Sequence, residues 1–217
     1  MIKILYEDSD IVICEKESGL LSEYSETSPI SLPKILASEL NVKELFTVHR
    51  LDKDVSGAIV YAKTAQSASK LSSQLSKDSF KKQYVAVTSG RLPEKSGTLC
   101  DLLFHDVKKN KTYTTKKKRP GVKEAILNYD ELVYDKDRDV SVFNISLVTG
   151  RTHQIRVQLA SRQCPILGDR KYGSKANLKP IRLHSYSLSF IHPTSNKTIS
   201  VSSTPDWLVE YTKDIAL

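Results

Sequence analysis

Long apolar runs are missing from this chain of 217 residues. No stretch approaches the roughly 20 consecutive apolar residues that a membrane-spanning helix requires. The opening segment Met1-Ile2-Lys3-Ile4-Leu5-Tyr6-Glu7-Asp8 also lacks the apolar centre of a secretory signal. A soluble cytoplasmic protein without a membrane partner is therefore expected. Cysteine is scarce: Cys14, Cys100 and Cys164 are odd in number, far apart, and form no Cys-x-x-Cys pair. That argues against both a disulfide framework and a cysteine zinc site. Acidic residues are the minority charge, 25 against 33 Lys and Arg, for a formal net charge of +8. Such a surplus suits a polyanionic partner, nucleic acid before membrane surface. Hydrophobic residues, at 39%, are plentiful enough for an ordinary core, and one domain spanning residues 1–217 is expected.

The patterning mixes strands with helices. Ile2–Tyr6 and Ile11–Cys14, separated by the acidic Glu7-Asp8-Ser9-Asp10, read as an opening hairpin. Leucines at 32, 36, 40 and 45 with Ile35 have helical spacing, and Asn41 is a stop. Thr64 is an N-cap for a helix whose Ala65, Ala68, Leu71 and Leu75 share a face. Lys81–Val87 and Val140–Leu147 read as strands. Arg182–Pro193 forms a last long strand, followed by a turn, Thr198–Val201, and a short closing helix from Pro205.

One polar interruption stands out. Thr47-Val48-His49-Arg50-Leu51-Asp52-Lys53-Asp54-Val55-Ser56-Gly57 immediately precedes the apolar run Ala58–Ala62. A buried strand is ordinarily entered through a neutral turn, whereas cations and carboxylates crowd this one. Charge at a strand end beside a glycine reads as a site. A carboxylate two positions from an arginine can act as nucleophile or general base, although a surface ion pair closing a turn is the plainer alternative.

Further unusual stretches follow. Tyr84, behind Lys81-Lys82-Gln83, reads on its own as a cross-strand packing residue. His105–Lys123 holds eight Lys or Arg in nineteen residues with the single aromatic Tyr113. It is either a solvated loop or hairpin, or a cationic arm that grips phosphates and stacks a base on Tyr113. In Gly150-Arg151-Thr152-His153-Gln154-Ile155-Arg156-Val157-Gln158-Leu159, Thr152 is placed to cap a helix. Ile155 and Leu159 would face inward, leaving His153, Gln154 and Arg156 free towards a cleft. His153 has no second ligand at metal spacing, so no metal is expected.

Taken together, these stretches resemble the RluA family of RNA pseudouridine synthases over nearly the whole chain. His49-Arg50-Leu51-Asp52-x-x-x-Ser56-Gly57 is similar to its signature loop, and Tyr84 falls on its Lys-x-Tyr strand. Gly150–Arg156 matches its Gly-Arg-Thr-His-Gln-Ile-Arg at all seven positions. Pro165–Gly173 is similar to its Pro-x-x-Gly-Asp-x-x-Tyr-Gly, which reads as architecture, and Leu183-His184 opens its final strand pattern. Two departures are visible: Val55 stands where the family usually has threonine, and Glu17 replaces the proline of its Lys-Pro-x-Gly-Leu turn.

The resemblance implies an α+β pseudouridine synthase fold, with a mixed, mostly antiparallel central sheet, flanking helices and an active-site cleft. It implies an isomerase that converts a specific uridine of ribosomal or transfer RNA to pseudouridine, without cofactor. Asp52 would be the catalytic carboxylate, oriented by Arg151, with Tyr84 against the target base. Arg50 would fill the gap left by the extruded base and Leu183 would pack beneath it, while His49, His153, Gln154 and Arg156 would contact substrate. A monomer without a separate N-terminal RNA-binding module is expected. Two rival readings remain: an aspartate-nucleophile phosphatase using Asp52 and Asp54 with magnesium, and a non-catalytic RNA-binding protein or chaperone. His49-Arg50 spoils the apolar strand that the first needs, and the second has no reason to keep Asp52, Tyr84 and Arg151 together.

Overall fold

The computed structural model describes residues 1–25, 28, 30–75, 77 and 79–212. In chain order the elements are β1 (Ile4–Glu7), β2 (Ile11–Lys16), α1 (Leu32–Glu39), β3 (Phe46–Thr47), β4 (Ser56–Ala62), α2 (Ala65–Leu75), β5 (Lys81–Ser89), β6 (Ser96–Asp106), β7 (Lys111–Thr115), β8 (Val122–Asp135), β9 (Val140–Leu147), α3 (Gln154–Ala160), a 3-10 turn at Arg170–Tyr172, β10 (Leu183–Ile191), β11 (Thr198–Ser202) and a 3-10 turn at Asp206–Tyr211. They gather into two compact units, Met1–Lys82 with His184–Pro205, and Gln83–Leu183 with Asp206–Leu217. The fold class is α+β, as the family resemblance implies.

In the first unit, β2 runs between β1 and β4. Its apolar Ile11-Val12-Ile13-Cys14 is wholly buried because both faces are covered. All pairings are antiparallel except that of β4 with β10, which is parallel at His184 with Ser56 and Ser185 with Gly57. Gly57 is obligatory there: its φ is +115°, and an added Cβ would lie 2.4 Å from the Ser185 carbonyl oxygen. Ile11, Ile13, Val60, Leu71, Phe80, Leu188 and Phe190 form the core, with the Phe80 and Phe190 rings stacked at 5.0 Å. Helix α1 ends because Asn41 adopts φ 53°, so that Val42 N–H reaches the Ala37 carbonyl and Asn41 N–H the Ser38 carbonyl. Helix α2 starts at Thr64, whose Oγ1 accepts from Ser67 N–H.

The second unit is an antiparallel sheet in the order β5-β9-β8-β6-β7. The sequence reading assigned no strands between residues 96 and 135, apart from allowing a hairpin in the basic tract. The structure places the meander of β6, β7 and β8 there. The missed signal is an alternation along β8, whose Ala125, Leu127 and Tyr129 are buried between exposed or half-buried neighbours. Helix α3 packs Val157 and Ala160 against Leu103, Ala125 and Tyr172.

Candidate active site and its support

The loop before β4 lies in the first unit and is pinned from beneath. Asp52, Lys53, Asp54 and Val55 make a turn closed by Val55 N–H donating to the Asp52 carbonyl at 3.0 Å. The loop's backbone is held on four sides. Ser22 Oγ donates to the Leu51 carbonyl and accepts from Leu51 N–H, Ser18 Oγ donates to the Asp54 carbonyl, and Gly19 N–H to that of Lys53. Lys16 is completely buried, and its ammonium donates to the carbonyls of Glu17, Leu20 and Lys53. Burial pulls the Lys16 pKa down to about 8, while the carboxylates of Asp52 and Asp54 work against that fall. The Asp52 side chain is partly exposed on this rigid turn. Arg50 is exposed and its Nη1 donates to Glu23 at 2.7 Å.

His49 points the other way, into the core. It is 7% exposed, its ring packs on Phe80, and its Nε2 accepts from Val60 N–H. Burial, reinforced by Lys82, drives its pKa down to about 3, so the ring is neutral and braces the loop against β4. Val55 is 3% exposed, which explains why an apolar residue serves at that position. Its neighbour Ser56 carries the hydroxyl that bonds His184 Nδ1 at 2.8 Å.

Tyr84, Arg151 and Leu183 lie in the second unit. Tyr84 is buried on β5 opposite Ile145 of β9, and Leu183 is buried at the start of β10. Arg151 is exposed; its Nε donates to the Glu124 carbonyl, and its backbone N–H to Gln154 Oε1. Thr152 does not cap α3. The cap position is His153, in the left-handed region at φ 54° and with no side-chain capping bond.

The expectation that His153, Gln154 and Arg156 stand free towards a cleft is therefore corrected. All three are buried, and each bonds the protein itself. His153 Nδ1 lies 2.8 Å from the Tyr172 hydroxyl, and Gln154 bonds Thr149 Oγ1 and the Ile126 carbonyl. Arg156 forms a two-pronged ion pair with Asp169 at 2.7 and 2.9 Å. The physical reason is that α3 is covered on nearly every side, so its polar side chains have only the unit's interior to bond.

These bonds extend into a network. The Tyr172 hydroxyl accepts from Thr112 N–H, the Thr112 hydroxyl donates to the Thr152 carbonyl, and His105 Nδ1 lies 3.0 Å from that hydroxyl. The base of the β6–β7 hairpin is thereby tied to the two residues after Arg151, which explains how a non-glycine residue keeps a left-handed conformation there.

Known proteins were compared with this chain. The family model described as RNA pseudouridylate synthase matches residues 10–161. The chain belongs to that family. A Bacillus subtilis protein named an uncharacterized RNA pseudouridine synthase is 32% identical over 205 residues, covering 91% of this chain and 67% of that one. A Buchnera aphidicola protein named ribosomal large subunit pseudouridine synthase C is 33% identical over 220 residues, covering 94% and 67%. The chain thus spans about two thirds of the length of these two relatives. The solved structure of human RNA pseudouridylate synthase domain containing 1 superposes with a TM-score of 0.79 at 21% identity, covering 97% of this chain and 86% of that one, and shows the shared fold.

Within this pseudouridine synthase, the residues that sequence reasoning passed over are the supporting ones. Lys16 was noted only as part of a turn pattern, and Ser22 and Tyr172 not at all as site supports. A lysine closing an apolar strand was the available signal. Among the described residues, Asp8, Asp10 and His192 bring ligand atoms within 4.8 Å of one another. Those atoms already bond Tyr6, Ile11, Ser67 and each other, so the group locks the turn between β1 and β2. No helix among the described residues is long and apolar enough to cross a membrane.

Proposed function

We propose that the whole chain, acting as one catalytic domain, converts a specific uridine of structured RNA to pseudouridine, with Asp52 as the catalytic carboxylate. The reaction breaks the bond between uracil nitrogen 1 and ribose, turns the base and rejoins it through ring carbon 5, which loses a proton while nitrogen 1 gains one. Composition is unchanged, and a carboxylate that attacks or deprotonates the sugar suffices. The observation that carries this reading is the pinned turn, which presents a partly exposed Asp52 on a backbone fixed by Lys16, Ser18, Gly19 and Ser22.

The remaining roles follow the family pattern. Arg151 is the cation assigned to orient that carboxylate. Tyr84 and Leu183 flank the extruded base, and Tyr84 takes the proton from carbon 5. Arg50 fills the space the base leaves, at an unstacking cost of a few kcal/mol that phosphate contacts offset. His49, His153, Gln154 and Arg156 support the site from within and do not touch substrate. Ribosomal RNA is the first substrate to try, given the Buchnera relative's name, and transfer RNA the second.

The test is tritium release. Purified protein, in EDTA, is incubated with unmodified ribosomal and transfer RNA carrying tritium at uracil carbon 5. Release by wild type and none above background by Asp52→Asn, with RNA affinity retained, is the expected outcome. Equal release by both ends the assignment of Asp52. Release by neither, on every RNA, favours a non-catalytic RNA-binding protein.

A further inference from the structure

The second unit carries a groove that none of these roles uses. It measures about 480 Å³ and lies between β7, the outer side of α3 and the 3-10 turn Arg170–Tyr172. Its cations are Lys111, Arg170 and Lys171, and among the described residues no carboxylate lines it. Lys111 Nζ lies 5.8 Å from the centre of the Tyr113 ring and 5.4 Å from that of Tyr172, held by two aromatic faces. The Tyr113 ring is 38% exposed, whereas Tyr172 and Thr112 form a buried floor joined by the Thr112 N–H bond to the Tyr172 hydroxyl. The rim at Thr114, Ser161 and Gly173 is open to solvent, so a polymer can pass through without threading.

The Gly168-Asp169-Arg170-Lys171-Tyr172-Gly173 stretch explains why this groove belongs to this chain. Asp169 and Tyr172, at fixed positions of the Gly-Asp-x-x-Tyr-Gly pattern, do structural work: one pairs with buried Arg156, the other anchors Thr112. Arg170 and Lys171 occupy the two open positions, and both are exposed. The scaffold therefore supplies a bonded floor beside two exposed positions that carry cations, Arg170 and Lys171, the latter's ammonium also donating to the Asn110 carbonyl.

We infer that this groove binds an unpaired RNA segment flanking the target, with a backbone phosphate on Arg170, Lys171 and Lys111 and a base stacked on Tyr113. The inference rests on the RNA reading above and deepens it by naming a second contact, made to single strand. A cationic groove with one available aromatic face is how proteins hold single-stranded nucleic acid, and its volume falls within the range of ordinary ligand sites.

The full chain is tested with a short single-stranded RNA carrying 5-iodouridine. Photocrosslinking with peptide mapping locates the base, and anisotropy across a salt series measures affinity. Wild type should crosslink at Tyr113. Arg170→Glu combined with Lys171→Glu should lose that adduct, bind at least about 10-fold more weakly and lower the salt slope by about 0.7, the value for one fewer phosphate contact on a single strand. Lys34→Glu with Lys43→Glu, the same charge change on exposed lysines of the first unit, should keep the adduct. The alanine pair at 170 and 171 replaces the charge reversal if that variant melts early. An adduct unchanged in the double variant, or lost equally in the control, overturns the groove. Tritium release by a wild type whose affinity ignores residues 170 and 171 overturns the groove alone. An adduct at Tyr113 in a protein that releases no tritium leaves the groove standing and overturns the proposed reaction.

Discussion

A buried lysine bonded to three carbonyls helps to hold the turn that carries Asp52. Lys16 does the work a second strand would otherwise do, and its ammonium also faces the Asp52 and Asp54 carboxylates. Replacing it with methionine keeps the volume but takes the ammonium donor from the Glu17 and Leu20 carbonyls, leaves Lys53 only its bond from Gly19 N–H and removes the charge, costing about 1–3 kcal/mol or more. Lys16→Met is expected to lower kcat at least 10-fold while changing KM for RNA little. A loss confined to KM would show that Lys16 serves RNA binding instead. At this scale the sequence singles out Asp52 and Arg50 by charge at the entrance to an apolar strand, and Arg151 only by the motif it shares with the family. His153, Gln154 and Arg156 were misread as free because their motif says which residues are present, not which side of α3 is covered.

Among the elements, α3 and the 3-10 turn after it behave as one piece. The Arg156–Asp169 pair is 2% and 1% exposed, and Arg156 also lies 5.3 Å from the centre of the Tyr172 ring. Asp169→Ala takes the carboxylate from a buried guanidinium, and a loss of about 3–5 kcal/mol in unfolding free energy is expected by urea titration. A change below about 1 kcal/mol would mean that the pair is not buried in solution. Tyr172→Phe is gentler: it strips one acceptor from Thr112 N–H and the partner of His153. Its expected signature is a fall in kcat without a matching fall in stability, because the left-handed residue beside Arg151 loses its brace. Most of the strands, and the stop of α1 at Asn41, can be read from the sequence, whereas Leu45, which shares the helical spacing, lies beyond the helix. The β6–β8 meander escaped because lysines and threonines on its outer face mask the alternation of its buried one.

For the molecule as a whole, two neutral histidines make stability depend on pH. Burial holds His184 at about 4, with Glu15 opposing it, and His49 at about 3, against an ordinary value of 6.5. Below pH 6.5 the unfolded chain takes up two protons that the folded one refuses until near pH 4. The stabilisation is therefore complete above 6.5 and is lost as pH falls. On the order of 3 kcal/mol should disappear between pH 6.5 and 5, measured by urea unfolding at each pH. A flat profile would mean that both rings are protonated at little cost. The parallel pairing of Gly57 with Ser185 carries another consequence, one of timing. The first unit is built from two separate stretches, Met1–Lys82 and His184–Pro205, with Gln83–Leu183 between them in sequence. On a ribosome adding 5–20 residues each second, β4 waits on the order of 10 s for β10 to emerge. Throughout that interval the backbone of Gly57 has no neighbour on β10, whereas the supports of the turn bearing Asp52, at Lys16, Ser18, Gly19 and Ser22, have already been synthesised.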